Sequence, residues 1–247
     1  MKTPRYRIPL HTMTGLVIDG LQAQRRSFRE DARACIRLLK PPLRVLGEEY
    51  IPLDGPCVLT MNHYTRVGFH VWWAAMAISS VLSTPVHWVI AKEWTAPGKW
   101  YEPCKSAVSR FAAQRIAWVY GFTPMPPRPQ DVEARAASVR AVLDYVRRAE
   151  HPILGLAPEG GDQPDGALFM PPSGAGRFAL LLAAAGLKFI PVSAYEAEDA
   201  FCLHFGPSYE LPVMRGSSAD EKDKLAARIM MERIAVLLPV HLRGEFA

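Results

Sequence analysis

Residues 57–63 read Cys-Val-Leu-Thr-Met-Asn-His, and this stretch decides the fold. The nearly continuous apolar run Cys57–Met61 is typical of a strand that is buried on both faces of a sheet. Asn62 and His63 follow it directly, at the carboxyl end of the strand, where α/β proteins place ligands. An imidazole with an ordinary pKa near ~6.5 suits a general base. Taken alone, a histidine at a strand end is more often structural.

The rest of the chain alternates short apolar runs with helical patterns. Strands are predicted at residues 43–47, 57–61, 86–91, 121–125, 153–157, 189–194 and 201–205. Helices are predicted at residues 70–83, 106–119, 131–148, 174–185 and 219–238. The alternation predicts an α/β fold, with a mixed, largely parallel sheet that helices cover on both faces.

Composition limits the class of protein. The chain has 247 residues, of which 49% are hydrophobic and 21% charged, so a disordered chain is excluded. The four cysteines are scattered without a C-x-x-C pair, which supports neither a metal cluster nor a disulfide framework. We therefore expect no metal and a reduced, cytosol-facing compartment. Residues 1–21 show no signal-peptide pattern.

All of the net charge of +5 lies in the first 50 residues. There, apolar residues recur at helical spacing through Leu21, Phe28, Ala32, Cys35 and Leu39, and two prolines at 41 and 42 end the pattern. Arginines occupy much of the remaining surface of this predicted helix, namely Arg25, Arg26, Arg29, Arg33 and Arg37. We expect residues 1–46 to form a basic amphipathic helical segment and residues 47–247 to form the α/β domain.

The basic segment suggests an anionic partner, either a membrane surface or nucleic acid. A basic amphipathic helix is typical of contact with a membrane surface, on the cytoplasmic face. Nucleic acid is not favoured, because the helix lacks interleaved aromatic residues and carries no known binding motif. The alternative is a helix that packs on the domain with its basic face in water. A bilayer crossing within the uncharged stretch between Arg66 and Lys92 is disfavoured by Pro85 and several polar residues.

A second candidate site follows the predicted strand at 153–157. It reads Ala157-Pro158-Glu159-Gly160-Gly161-Asp162, with proline and paired glycines that favour a tight loop. Glu159 or Asp162 could accept a proton, orient a histidine or bind a polar group. By itself, the loop is better explained as an acidic turn.

Taken in order, these segments resemble the PlsC-type glycerophospholipid acyltransferases, over roughly residues 40–240. The resemblance is carried by Asn62-His63, Gly121…Arg128, Pro158-Glu159-Gly160 and Ile190-Pro191-Val192. Three features depart from the family pattern. Gly68 stands where the family has an aspartate, and Asp162 stands where it has a loop arginine. Arg128 lies one residue later than the family spacing would place it.

The resemblance implies transfer of a fatty acyl group from an acyl thioester, either acyl-CoA or acyl carrier protein, to a hydroxyl of a lysolipid or glycerolipid. No other cofactor is expected. His63 would act as the base with Glu159 beside it, and an apolar groove would take the acyl chain. Substrate contacts are expected from Asn62, Gly160, Gly161, Arg128 and Asp162.

The departures leave the activity open. In a Ser-His-Asp triad, replacing the aspartate by asparagine lowers the rate by about 10⁴-fold, and glycine cannot orient an imidazole at all. Another carboxylate could take over, with Glu159, Asp162 and Glu93 as candidates, or the enzyme is slow or inactive. Asp162 would repel a phosphomonoester, which favours an acceptor without a free phosphate. The alternative is a degenerate relative that binds lipid or an acyl carrier without turnover.

Overall fold

The computed structural model describes residues 4–94, 101–127, 130–161, 166–212 and 216–247. Its strands are β1 (Arg44–Leu46), β2 (Cys57–Met61), β3 (His87–Ala91), β4 (Thr123–Met125), β5 (Ile153–Leu156), β6 (Lys188–Ala197) and β7 (Ala200–Phe205). They form one sheet in the order β1-β7-β6-β2-β5-β3-β4. Every pair is parallel except β6 with β7, which is antiparallel. The predicted mixed, largely parallel sheet is confirmed.

Helices cover both faces of this sheet. They are α1 (Leu10–Gln22), α2 (Phe28–Ile36), α3 (Trp72–Val81), α4 (Glu102–Tyr120), α5 (Val132–Arg148), α6 (Ala175–Ala184) and α7 (Ala219–Ala235). Side chains alternate along β2. Cys57 and Leu59 pack in one core cluster with residues of α2 and α3, while Val58 packs in a second cluster with residues of α5 and α6. The continuously apolar strand is therefore buried on both sides, as its sequence predicts.

The N-terminal helix differs from its prediction. Two helices stand where one was expected, because Ala23 adopts a left-handed conformation after α1 and Ser27 caps α2 by accepting a hydrogen bond from the Glu30 N–H at 3.3 Å. Leu21 therefore belongs to α1, and only Phe28, Cys35 and Leu39 pack on the domain core, with Ala32 also buried. Leu21 and Phe28 are seven residues apart, which equals about two helical turns. The apolar spacing therefore looks like that of one helix although the helix is broken between them. The division at residue 46 stays a prediction.

Two arginines of the basic segment are committed to the fold. Arg26 binds Asp31 through Nε and Nη2, at 2.8 and 2.7 Å, and Asp19 through Nη1 at 2.5 Å. Arg33 donates to the carbonyl oxygens of Ser80 and Leu82, at 3.2 and 3.3 Å. Because these contacts tie α1 and α2 to each other and to the end of α3, neutralising both side chains would disturb the fold.

The uncharged stretch between Arg66 and Lys92 folds as α3 followed by β3. Within the described ranges, none of the helices combines the length and the apolarity that a bilayer crossing requires.

Close packing between β3 and β5 leads to a prediction for stability. Gly155 of β5 lies beside Trp88 of β3, and a β-carbon at this position would overlap the buried indole ring. We expect Gly155→Ala to lower the free energy of unfolding by about 1–3 kcal/mol, measured by urea denaturation.

Gly20→Ala is the matched control. Its β-carbon would lie 3.9 Å from Cγ2 of Val119, which is ordinary contact, and alanine favours the helix. No loss of stability is expected there. A loss at Gly20 as large as that at Gly155 would contradict the packing argument.

Candidate functional site

The two candidate sequences meet at one edge of the sheet. β2 and β5 are parallel neighbours in which Thr60 pairs with Leu156, so their carboxyl ends lie side by side. His63 follows β2 by two residues and Glu159 follows β5 by three. The structure therefore brings His63 and Glu159 together, as expected for strand ends in a parallel sheet.

The carboxylate of Glu159 is buried and holds the backbone of His63. Its Oε2 accepts a hydrogen bond from the His63 N–H at 2.5 Å, and its Oε1 accepts one from the Phe169 N–H at 3.2 Å. Burial raises the pKa of Glu159 to about 7, against the lowering effect of these two N–H donors and of a protonated His63 ring. Glu159 is thus a carboxyl group that titrates near neutral pH beside a half-buried histidine.

Asn62 is committed to the protein backbone. Its Nδ2 donates to the Ala194 carbonyl oxygen at 2.9 Å, and its Oδ1 accepts from the Ala194 N–H at 2.7 Å. The side chain is buried, and both ends of its amide are occupied by β6. These bonds give Asn62 a role in holding the strand end and lend no support to the expected contact with substrate.

The glycine loop forms a tight turn. The Gly160 N–H donates to the Ala157 carbonyl oxygen at 3.1 Å, and Gly160 has a φ of +64°, a conformation that favours glycine. Apart from the chain neighbours of each glycine, no atom of the described residues lies within 4 Å of a β-carbon built at Gly160 or Gly161. The expected substrate contacts of both glycines stay predictions. Arg128 and Asp162 lie outside the described residues, so their expected substrate contacts stay predictions.

The position of the missing family aspartate is an exposed turn. Gly68 has a φ of +83°, so a residue with a side chain would be strained there. Of the three candidate replacements, Glu159 lies at His63, whereas Glu93 is buried in an ion pair with Arg110 at 2.5 Å. Asp162 is not among the described residues. Of the described candidates, Glu159 contacts His63, and it does so through the backbone N–H of the histidine. The orientation of the imidazole by a replacement carboxylate stays a prediction.

Several further charged residues lie near this edge and were not predicted from the sequence. Lys92 follows β3 directly and is half-buried, so the signal that marked His63 (a polar residue after an apolar strand) also applied to it. Arg66 and Glu196 form an ion pair beside the His63 loop. These two residues lie 130 positions apart, and their pairing has no local sequence signal.

Two cavities lie away from these residues. One, of about 850 Å³, borders α7 and is lined by residues that include Met170, Ser173 and Asp220. The other, of about 320 Å³, lies at the amino ends of β2 and β6, around Gly55 and Lys188. Neither is lined by His63 or Glu159, so the expected acyl-chain groove stays a prediction. No group of three or more potential metal ligands occurs in the part of the chain that the structure describes.

A strand-end histidine beside a buried carboxyl group of near-neutral pKa is typical of α/β enzymes that use acid–base chemistry. A family model described as Acyltransferase matches residues 42–195, and the chain belongs to this acyltransferase family. The matched range contains both His63 and Glu159. The resemblance carried by the motifs is thereby confirmed.

The chain is also similar to a solved structure, the 1-acyl-sn-glycerophosphate (LPA) acyltransferase PlsC from Thermotoga maritima. The sequence identity is 14%, the TM-score is 0.48, and the alignment covers 93% of this chain and 84% of that chain. A search of curated proteins finds no match.

The raised pKa of Glu159 predicts a pH dependence of stability. Between about pH 4.5 and 7 the folded protein holds a proton on Glu159 that the unfolded chain releases. The contribution of Glu159 to the free energy of unfolding therefore falls as pH rises through this window, by up to about 1.4 kcal/mol per pH unit. Glu159→Gln should remove this fall, measured by urea denaturation at several pH values.

His87 provides a control of opposite sign. Burial lowers its pKa to about 4, so its contribution to the free energy of unfolding rises with pH between about 4 and 6.5. The two contributions partly cancel in the wild type. His87→Gln should therefore make the slope more negative, and Glu159→Gln more positive. Equal slopes in the wild type and Glu159→Gln would contradict the raised pKa of Glu159.

Proposed function

We propose that this acyltransferase moves a fatty acyl group from acyl-CoA or acyl carrier protein to a hydroxyl of a lysolipid or glycerolipid, with His63 as the general base. The observation that carries the proposal is the contact between the His63 backbone and the buried carboxylate of Glu159, at the carboxyl edge of the sheet. Family membership supports the reaction class.

The reaction follows from this arrangement. His63 takes the proton from the acceptor hydroxyl as the oxygen attacks the thioester carbonyl carbon. The carbon–sulfur bond then breaks, and the proton passes from the imidazolium to the departing thiolate. The products are an ester and a free thiol. Glu159 fixes the backbone of His63. The thioester supplies the chemical driving force, and the scheme calls for neither a metal nor a further cofactor.

Replacement of His63 tests the proposal. We expect His63→Ala to lower the rate of thiol release from a long-chain acyl-CoA in the presence of a lysolipid by about 100-fold or more, because the base is lost. Lysophosphatidate and a neutral monoacylglycerol should be compared as acceptors, since the preference for an acceptor without phosphate depends on Asp162.

His70→Ala is the control, because it also removes an imidazole but at an exposed position. The His70 ring packs beside Trp72, with a centroid distance of 4.9 Å. Its activity should match that of the wild type. Equal thiol release by the wild type and His63→Ala would favour the second candidate, a degenerate relative that binds lipid or an acyl carrier. The observation that favours this second candidate is the glycine at position 68, where the family pattern has an aspartate.

We also propose that the protein works at the cytoplasmic surface of a membrane, as a peripheral protein. The apolar face of α1 supports this more than the arginines do. Leu10, Met13, Val17 and Leu21 recur at helical spacing and are 51–75% exposed. Exposed apolar side chains along one helix are typical of interfacial membrane helices.

Neighbouring features fit a lipid surface. α1 packs on α4, where the Arg115 side chain donates to the Gly20 carbonyl oxygen at 3.3 Å, and α4 exposes Val108 and Phe111. The Arg25 guanidinium lies 4.5 Å from the ring centroid of Trp118. Of the five arginines expected to contact the membrane, Arg25, Arg26 and Arg33 already have partners in the fold. Arg29 lies 3.6 Å from Glu30, and Arg37 is exposed. Arg29 and Arg37 therefore remain the stronger candidates.

Replacing three apolar residues of α1 tests membrane contact. Leu10→Gln, Val17→Gln and Leu21→Gln together should reduce sedimentation with phosphatidylglycerol-containing vesicles by more than tenfold. Each side chain buried in lipid contributes about 1.5–3 kcal/mol. The control is the triple variant Leu53→Gln, Leu225→Gln and Val240→Gln, which changes exposed apolar residues elsewhere. An equal loss in the control would contradict the assignment to α1.

A further inference from the structure

Strand β6 holds the chain on both sides of His63. Before the histidine, the backbone of Ala194 binds the side chain of Asn62 with two hydrogen bonds, at 2.9 and 2.7 Å. After the histidine, Glu196 binds Arg66. Because Ala194 and Glu196 are two residues apart on one strand, the segment from Asn62 to Arg66 is anchored to β6 at each end.

The second anchor is a charged fork. Arg66 Nη2 donates to Glu196 Oε1 at 2.5 Å, and Arg66 Nε donates to Glu196 Oε2. Two parallel bonds between a guanidinium and a carboxylate fix direction as well as distance. The Glu196 side chain is 10% exposed, so the pair is partly shielded from water.

No side chain beyond Arg66 can replace this anchor within the turn. The next residues, Val67 and Gly68, are exposed, and the Phe69 N–H donates to the Arg66 carbonyl oxygen at 3.0 Å to close the turn. Phe69 then enters the core. Gly68 occupies the place where the family aspartate would stand and offers no side chain.

Two tyrosines complete the surroundings of Glu196. Tyr6 donates its hydroxyl proton to Oε1 at 2.6 Å, and Tyr64 donates to Oε2 at 3.4 Å. The Tyr6 ring packs against Phe69 and Trp73, with ring centroids 5.1 Å apart in each case. Burial raises the pKa of Tyr6, so its hydroxyl group stays a neutral donor. The N-terminal segment thereby contacts the carboxylate that holds the His63 loop.

We propose that Arg66 and Glu196 act as positioning residues for His63, an inference that rests on the proposed function of that histidine. This pair, the Arg66–Glu196 clamp, fixes the backbone from which the imidazole projects. It acts on the loop rather than on the ring, so it sets the direction of the side chain and not its tautomer. Tyr6 supports the clamp from the N-terminal segment.

Kinetic variants test the clamp. Glu196→Gln and Arg66→Gln should each lower kcat by about 10- to 100-fold with KM changed by less than threefold, because a small misplacement of a catalytic group is costly to the rate. Arg66→Lys retains the charge but loses the fork, so its kcat should lie between those of Arg66→Gln and the wild type. Tyr6→Phe keeps the ring packing and should have a smaller effect in the same direction.

The control variant is Glu198→Gln. Glu198 forms an exposed ion pair with Arg44 at 2.8 Å, two residues beyond Glu196. Its kcat should equal that of the wild type. Melting temperatures should be measured for all variants. If Glu196→Gln and Arg66→Gln leave kcat unchanged, or lower it no more than Glu198→Gln does, the clamp is refuted.

Amide hydrogen exchange of residues 62–69 provides a measurement that needs no activity. Exchange in this segment should be at least tenfold faster in Glu196→Gln than in the wild type, and unchanged in Glu198→Gln. If the wild type shows no thiol release, the proposed function fails, while the exchange rates still decide whether the clamp holds the loop. Equal exchange in Glu196→Gln and the wild type would overturn the inference.

Discussion

The buried carboxylate of Glu159 is the interaction on which the rest of the site depends. It accepts hydrogen bonds from the backbone N–H groups of His63 and Phe169, so it joins the ends of β2 and β5 to the chain that follows the acidic loop. A buried charge loses its hydration, and only its hydrogen bonds and nearby positive charge offset that cost. In Glu159 the cost of burial outweighs the two donors, which is why its pKa rises to about 7. The geometry around His63 is consequently linked to the protonation of one carboxyl group.

The central position of β2 explains why residues from two neighbouring strands contact the segment around His63. The strand lies between β5 and β6, and it is parallel to both. One neighbour delivers Glu159 to the histidine backbone, and the other holds Asn62 and Arg66. An outermost strand of the sheet would pair with only one neighbouring strand. Central placement, which follows from the apolar sequence of β2, therefore allows anchoring from two sides.

The sequence predicts the sheet well because the signals for buried strands are local. Cys57–Met61 is observed with the predicted bounds, and the meeting of His63 with Glu159 follows from the parallel order of strand ends. The prediction of a single N-terminal helix was wrong because apolar spacing alone cannot reveal a break between two helices. A serine followed three residues later by glutamate, at Ser27 and Glu30, is a known helix-start signal and marks the start of α2.

Other features of the site have no local signal. Composition cannot distinguish a solvated arginine from one such as Arg26, whose charge is matched by Asp19 and Asp31. The Arg66–Glu196 clamp depends on where β6 lies relative to β2. The pKa of Glu159 depends on burial by distant elements. These properties belong to the tertiary structure, and the last two concern the contacts that hold the loop of His63.

The contacts of α4 connect the proposed membrane face with β3 and the residues that follow it. Near the end of β3, the Trp94 N–H donates to Ser109 Oγ at 2.9 Å, and Glu93 binds Arg110. Farther along α4, the Arg26 N–H donates to the Val119 carbonyl oxygen at 3.0 Å, which holds the segment after α1. At the other end of α1, Tyr6 binds Glu196. The helix with the exposed apolar face is therefore joined at one end to α4 and, through Tyr6 at the other end, to strand β6. If that face lies on a bilayer, Tyr6 and β6 link the proposed membrane face to the loop that carries His63.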